Sequence, residues 1–267
     1  MKRLFLFLLV IALTLTIAAH FRLNDGFSIR HISGTLPGIS SKESLPLMGE
    51  QFTYLGKGSQ MYVFESEDGS MVLKCFRLSR YRLPVYYPNL PLPPFQLAIQ
   101  KQKFNLKEKK RTALIQSCEI AYQDLQEETG LFYLHLSPTN HLNKTVTLYD
   151  KLGRPHPISL DKTPFILQKK GKLPLPYLQT LLQQGKQEEA QKALTSLSNL
   201  LLSRMEKGII DDDAVLHKNA GFSDGEALFL DIGQFRRGET PNPIQEISRL
   251  RREITSYLSP YASEAPN

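Results

Sequence analysis

At 267 residues, 41% hydrophobic and 22% charged, the chain can bury one sizeable core and is too apolar for a disordered or fibrous polypeptide. Its two cysteines exclude a disulfide framework, and neither they nor the six scattered histidines show a zinc-ligand spacing. The formal net charge of +7 invites anionic partners, but the basic runs carry no aromatic interleaving or nucleic-acid motif, so attraction to lipid headgroups is favoured over nucleic acid.

Met1-Lys2-Arg3 precedes an uncharged, mostly apolar stretch, Leu4 to Ala19. Its length falls between a signal-peptide core and the roughly 20 residues of a spanning helix, so residues 1–21 read as an uncleaved signal anchor or a cleaved signal peptide. Lys2 and Arg3 outweigh Arg22 beyond the segment, which predicts a folded domain outside the cytoplasm. Residues 22–50 read as a linker.

Phe52 to Phe64, FTYLGKGSQMYVF, places Gly56-Lys57-Gly58-Ser59 between strand-forming flanks, a turn whose backbone can approach phosphate oxygens without Cβ clashes. A second turn, Glu65 to Ser70, leads to the apolar strand Met71 to Phe76, in which Lys74 requires a partner because desolvating an ammonium is costly. Residues 80–100 form a Pro-rich insertion, read as an extended excursion suited to docking a protein partner. Lys107 to Glu128 has helical spacing, with Glu119 near its middle and Cys118 beside it. Cys75 adjoins Lys74, and the two thiols are either buried and reduced or bridged.

Strands follow at Leu131 to Leu136, Thr145 to Tyr149 and Pro164 to Gln168, then a link at Lys169-Lys170-Gly171. Helices are expected over Leu175 to Gln184 and Glu188 to Lys207, the second bearing an apolar stripe that reads as core packing. Asp211-Asp212-Asp213 comes next and Asn219 after it. Ala220 to Phe222, a Ser223-Asp224-Gly225-Glu226 turn and Ala227 to Leu230 read as a hairpin that brings Asn219 and Asp231 to one end, where amide oxygen and carboxylate can share a hard cation. An amphipathic helix around Pro243 to Leu258 and a polar tail complete the chain.

Taken in order, these motifs resemble the protein-kinase-like superfamily, with its glycine-rich hairpin, strand Lys, helix Glu, H-R-D-x-x-x-x-N loop and D-F-G triplet. The departures are equally visible. Asp211 and Asp212 stand for His and Arg, Ile232 for Phe, Met61 for the third glycine, and the Asp-to-Asn interval is one residue longer. The resemblance implies an α+β, two-lobed fold, with 51–171 as the N-lobe-like part, 172–259 as a reduced C-lobe and 260–267 as a tail. It implies ATP and Mg²⁺ as cofactors, Gly56, Lys57, Gly58, Ser59 and Lys74 on the phosphates, and Gln168 at the adenine-binding hinge. Glu119 would pair with Lys74, Asn219 and Asp231 would hold metal, and Asp213 would be the catalytic base for phosphoryl transfer to a hydroxyl. The same residues allow an inactive pseudokinase scaffold, and an unrelated exported α+β protein stays open.

Overall fold

The computed structural model describes residues 22–46, 49–84 and 93–262. The apolar leader, the middle of the Pro-rich stretch and the last residues of the tail lie outside them. Among the described residues no helix is long and apolar enough to cross a membrane.

The glycine turn and its flanks form an antiparallel hairpin of β1 (Gln51–Lys57) and β2 (Met61–Ser66), with a register shift between Tyr54 and Gly56. β3 (Met71–Phe76) is buried at every position, Lys74 included, as a mostly apolar run requires of a central strand. With β4 (Leu131–His135), β5 (Thr145–Tyr149), β6 (Pro155–Ser159) and β7 (Phe165–Lys169) these strands form a seven-stranded sheet in the order β4-β7-β3-β2-β1-β5-β6. β6 has no counterpart among the expected strands because Pro155 and Pro157 mask it. Proline costs a ladder hydrogen bond only where a neighbour exists, and β6 is at the edge.

The N-terminal stretch is packed, contrary to the linker expected over 22–50. Phe27 and Ile32 are 3% and 1% exposed, and Phe27 meets Tyr62 and Phe64 edge-on at ring-centroid distances of 5.1 and 5.3 Å. Together with the short α1 (Ile29–Ile32), they cover the face of the sheet that also carries Phe52, Leu73 and Phe165. The strap continues to β4, where the Ser41 amide donates to the Leu134 carbonyl at 2.8 Å.

The opposite face rests on α2 (Pro94–Gln123), through Leu114, Cys118 and Ala121. α2 begins well before the expected Lys107, so residues 94–100 of the Pro-rich insertion are helical rather than extended. Proline at the first helical position, here Pro94, has its φ already set and loses no hydrogen bond. α3 (Gln126–Thr129) follows and stops at Gly130, whose φ of 59° is left-handed.

Beyond the link at 169–171 come α4 (Pro174–Gln183) and α5 (Gln187–Glu206), the latter burying Ala190, Ala193, Leu197, Leu200, Leu201 and Met205. β8 (Ile209–Asp211), unforeseen, pairs with β11 (Phe235–Arg237), while α6 (Leu216–Asn219) leads into the β9 (Ala220–Ser223) and β10 (Glu226–Phe229) hairpin. Asp224 and Gly225, with φ of 53° and 86°, make the left-handed pair that matches strand twist in a two-residue hairpin loop. α7 (Pro243–Ala262) packs back with Leu250 buried. Cys75 and Cys118 are both free and buried, and no bridge joins them.

Candidate functional site

Lys74 leaves the middle of β3 on the α2 side and is 9% exposed. Its ammonium donates to the Leu230 carbonyl at 2.5 Å, one residue before Asp231. Burial pushes the ammonium down to about 8, and the Asp231 carboxylate pulls in the other direction. The expected partner Glu119 is turned elsewhere. Its Oε1 accepts the Ile39 amide of the N-terminal strap at 3.2 Å, and among the described residues no ion pair joins it to Lys74.

The hairpin sets the acidic end. The Asn219 carbonyl accepts the amides of Leu230 at 2.7 Å and Asp231 at 3.2 Å, so the two sequence-selected metal residues are adjacent. The Asn219 Nδ2 donates to the Asp213 carbonyl at 2.6 Å, which orients the side-chain amide. The Asp231 Oδ1 accepts the Gly233 amide at 3.0 Å, which fixes the carboxylate at the turn. One amide oxygen and one carboxylate are hard donors that suit Mg²⁺, an ion that completes its shell with water and phosphate oxygens. Among the described residues no group of three or more His, Cys, Asp and Glu side chains gathers as a metal cage.

The three adjacent Asp residues have separate tasks. Asp211 is inward: its Oδ1 accepts the Asp213 amide at 3.0 Å and its Oδ2 lies 3.3 Å from Nη1 of Arg204, which is 2% exposed. That contact is an ion pair without hydrogen-bond geometry, since Arg204 Nη1 and Nε have no hydrogen-bond partner. Burial raises the Asp211 carboxyl above its usual range, opposed by the Asp213 amide bond and by Arg204, with the charges of Asp231 and Asp213 adding to the rise. Asp212 faces outward, both oxygens accepting from Arg236 Nε at 2.8 and 2.9 Å. Asp213 is exposed, held through its backbone with the side chain free to meet a ligand.

The glycine turn is folded down. Gly58 closes it by donating to the Met61 carbonyl at 2.9 Å, while Arg77 donates to the Gly58 carbonyl at 2.9 Å and Arg80 to that of Ser59 at 2.6 Å. Lys57 reaches the Asp25 carbonyl at 2.6 Å, away from the acidic end. Gln60, which the sequence did not single out, donates to the Gly233 carbonyl at 3.2 Å, and its Oε1 is buried without a partner. A Cβ on Gly233 would stand 1.6 Å from that oxygen, so this triplet needs its glycine for the approach of Gln60. Ser117 on α2, also unforeseen, accepts the Phe235 amide at 2.6 Å and donates to the Ile232 carbonyl at 2.5 Å, pinning the segment after Asp231. Its place in the apolar spacing of Leu114, Ala121 and Leu125 was the one sign of it in the sequence.

Gln168, expected at the adenine-binding hinge, spends its side chain on internal bonds. Its side chain is fully buried and donates to the Thr129 and Phe229 carbonyls at 2.7 and 2.8 Å, which joins the sheet to the β9–β10 hairpin. A cavity of about 720 Å³ lies outside the link, lined by Ser70, Met71, Lys169, Lys172, Tyr177 and Phe222 among others. Another of about 700 Å³ runs between α2 and the 233–237 segment, past Glu119 and Asp212. Neither is lined by Lys74, Asp213, Asn219 or Asp231; of these Lys74 is buried, Asn219 and Asp231 are half-buried and Asp213 is exposed.

No family model matches the chain, and no curated protein matches it. Solved structures do. A crystal structure of WbdD aligns at 16% identity over 74% of this chain and 35% of that one, with a TM-score of 0.34. A second structure, of WbdD described as a bifunctional kinase-methyltransferase, aligns at 17% over 74% and 34%, again at 0.34. The chain therefore spans about a third of the length of these neighbours. Likeness of that degree assigns neither family nor activity.

Proposed function

We propose that the chain is a kinase-like phosphotransfer domain that binds ATP with Mg²⁺ and passes a phosphoryl group to a hydroxyl acceptor. The observation that supports this most is the hairpin that sets Asn219 beside Asp231 while Lys74 bonds the residue before it. On this reading Lys74 and the amides of the Gly56 to Ser59 turn hold phosphate oxygens, Asn219 Oδ1 and the Asp231 carboxylate hold the cation, and Asp213 orients the acceptor hydroxyl. Mg²⁺, when bound, neutralises charge on the phosphates. The Lys74–Leu230 and Gln60–Gly233 bonds are the contacts a nucleotide displaces, so the glycine turn lifts on binding. The apolar leader serves as a membrane anchor in this proposal, and the stretch before Pro94 as a protein-docking loop.

A second reading, an inactive scaffold, draws support from Gln60 filling the space over Gly233 and from Glu119 being committed to Ile39. Thermal unfolding of the full chain with and without Mg²⁺·ATP tests nucleotide binding, because a ligand that binds only the native state must raise its stability, by about 2.7 kcal/mol at a hundredfold excess over Kd. The shift should vanish in Lys74→Ala and Asp231→Asn. Absence of any shift at millimolar ATP with a folded parent defeats the kinase reading. Phosphate release or transfer that Asp213→Asn abolishes, with the thermal shift retained, separates enzyme from scaffold.

A further inference from the structure

The N-terminal half of α2 projects an apolar stripe that nothing in the described residues covers. Phe95, Ile99 and Leu106 are 64%, 45% and 54% exposed. At 100° per residue they fall within about 40° of arc, with Gln102 beside them. The same azimuth further along α2 carries Ser117 and Ile120, which are buried against the segment that holds Ile232 and Phe235. The cover ends where the stripe becomes apolar and exposed. A helix that needed only solvent there would carry polar residues.

Charge identifies the occupant. Lys101, Lys103, Lys107, Lys109, Lys110 and Arg111 lie on this half of the helix with Glu108 as the only acid from Pro94 to Arg111. Lys107 is tied to the Arg80 carbonyl, but Lys103, Lys109 and Lys110 are exposed and flank the stripe on both sides. Apolar side chains edged by long ammonium side chains match the boundary between acyl chains and anionic headgroups, where each Lys or Arg adds attraction. A nucleic-acid backbone would use the lysines and leave the three large apolar side chains in water.

We infer that the N-terminal half of α2 lies on an anionic lipid surface, with Phe95, Ile99 and Leu106 entering the acyl boundary and Lys103, Lys109 and Lys110 among the headgroups. This contact stands independently of nucleotide binding. It also gives the domain a second membrane attachment besides any made by the apolar leader.

Because an apolar leader can by itself hold a chain on vesicles, depth of insertion is the useful readout. The sequence has no tryptophan, so Leu106→Trp in the full chain introduces a single one, excited at wavelengths that tyrosine does not absorb. In phosphatidylcholine vesicles containing phosphatidylserine, its emission should move to shorter wavelength and be quenched by brominated acyl chains. Both effects should be lost without phosphatidylserine, and lost when Lys103→Glu, Lys109→Glu and Lys110→Glu are added together. Phe95→Trp supplies an independent position, and unchanged thermal unfolding shows that the variants fold. Emission that stays at the water-exposed position with phosphatidylserine present overturns the proposal. So does quenching that ignores headgroup charge, a short-wavelength emission before vesicles are added, which would mean cover by the chain or a second copy, or an equal response to an RNA homopolymer.

Discussion

Lys74 is a buried cation whose one hydrogen-bond partner among the described residues is a carbonyl, and this sets a pH signature. Its native value of about 8 lies below the ordinary 10.5, so the native state gives up a proton before the unfolded chain does. The cost of burying the charge is full below pH 8 and is relieved as pH rises from 8 to 10.5. Relative to Lys74→Met, the parent should therefore gain on the order of 3 kcal/mol across that interval, measured by urea unfolding at several pH values. A parallel pH dependence in both proteins would show that the ammonium is solvated. Gly233→Ala should cost about 1–3 kcal/mol by overpacking against Gln60, and Gln60→Ala should restore most of the loss. Of the residues that shape the site, Lys74, Asn219 and Asp231 were legible because each is a polar type at a motif position. Gln60, Arg77 and Arg80 were not, since surface-type side chains reveal an inward turn only once the backbone is known.

At the scale of elements, the site is a hairpin, a strand and a helix held by few polar links. Ser117 satisfies one amide and one carbonyl of the segment after Asp231, and Ser117→Ala leaves both buried and unpaired. A loss of about 2–4 kcal/mol is expected, with faster hydrogen exchange at Phe235 as the local check, summing the cost of each unsatisfied group. The β9–β10 hairpin was readable from Asp224-Gly225 because that dipeptide selects the turn, and α5 from its apolar period. β6 was hidden by its prolines, β8 and β11 by being only three residues each, and the start of α2 by the expectation that Pro-rich sequence stays extended. In each case tertiary position decided what local propensity left open.

Over the whole molecule, the sheet has two covered faces, and the N-terminal strap supplies one of them. Phe27→Ala should cost about 3–5 kcal/mol by opening a cavity against Tyr62 and Phe64, read from the midpoint of chemical unfolding. Truncation at residue 34 should remove Asn24, Phe27 and Ile32 together and leave a protein that binds a dye for exposed apolar surface. The strap was missed because its buried residues are too few and too irregular to show a period. Its partners are also far along the chain: Asn24 donates to Asp150 at 3.1 Å, and the Tyr133 hydroxyl to the Ser41 carbonyl at 3.0 Å. That separation has a consequence for the chain as it is made. The strap leaves the ribosome before any strand it covers; Phe27 can meet Tyr62 and Phe64 once β2 is made, but the bonds to Leu134 and Asp150 wait for β4 and the turn after β5, so the strap cannot be fully tied down early and its face of the sheet stays open to misassociation until then.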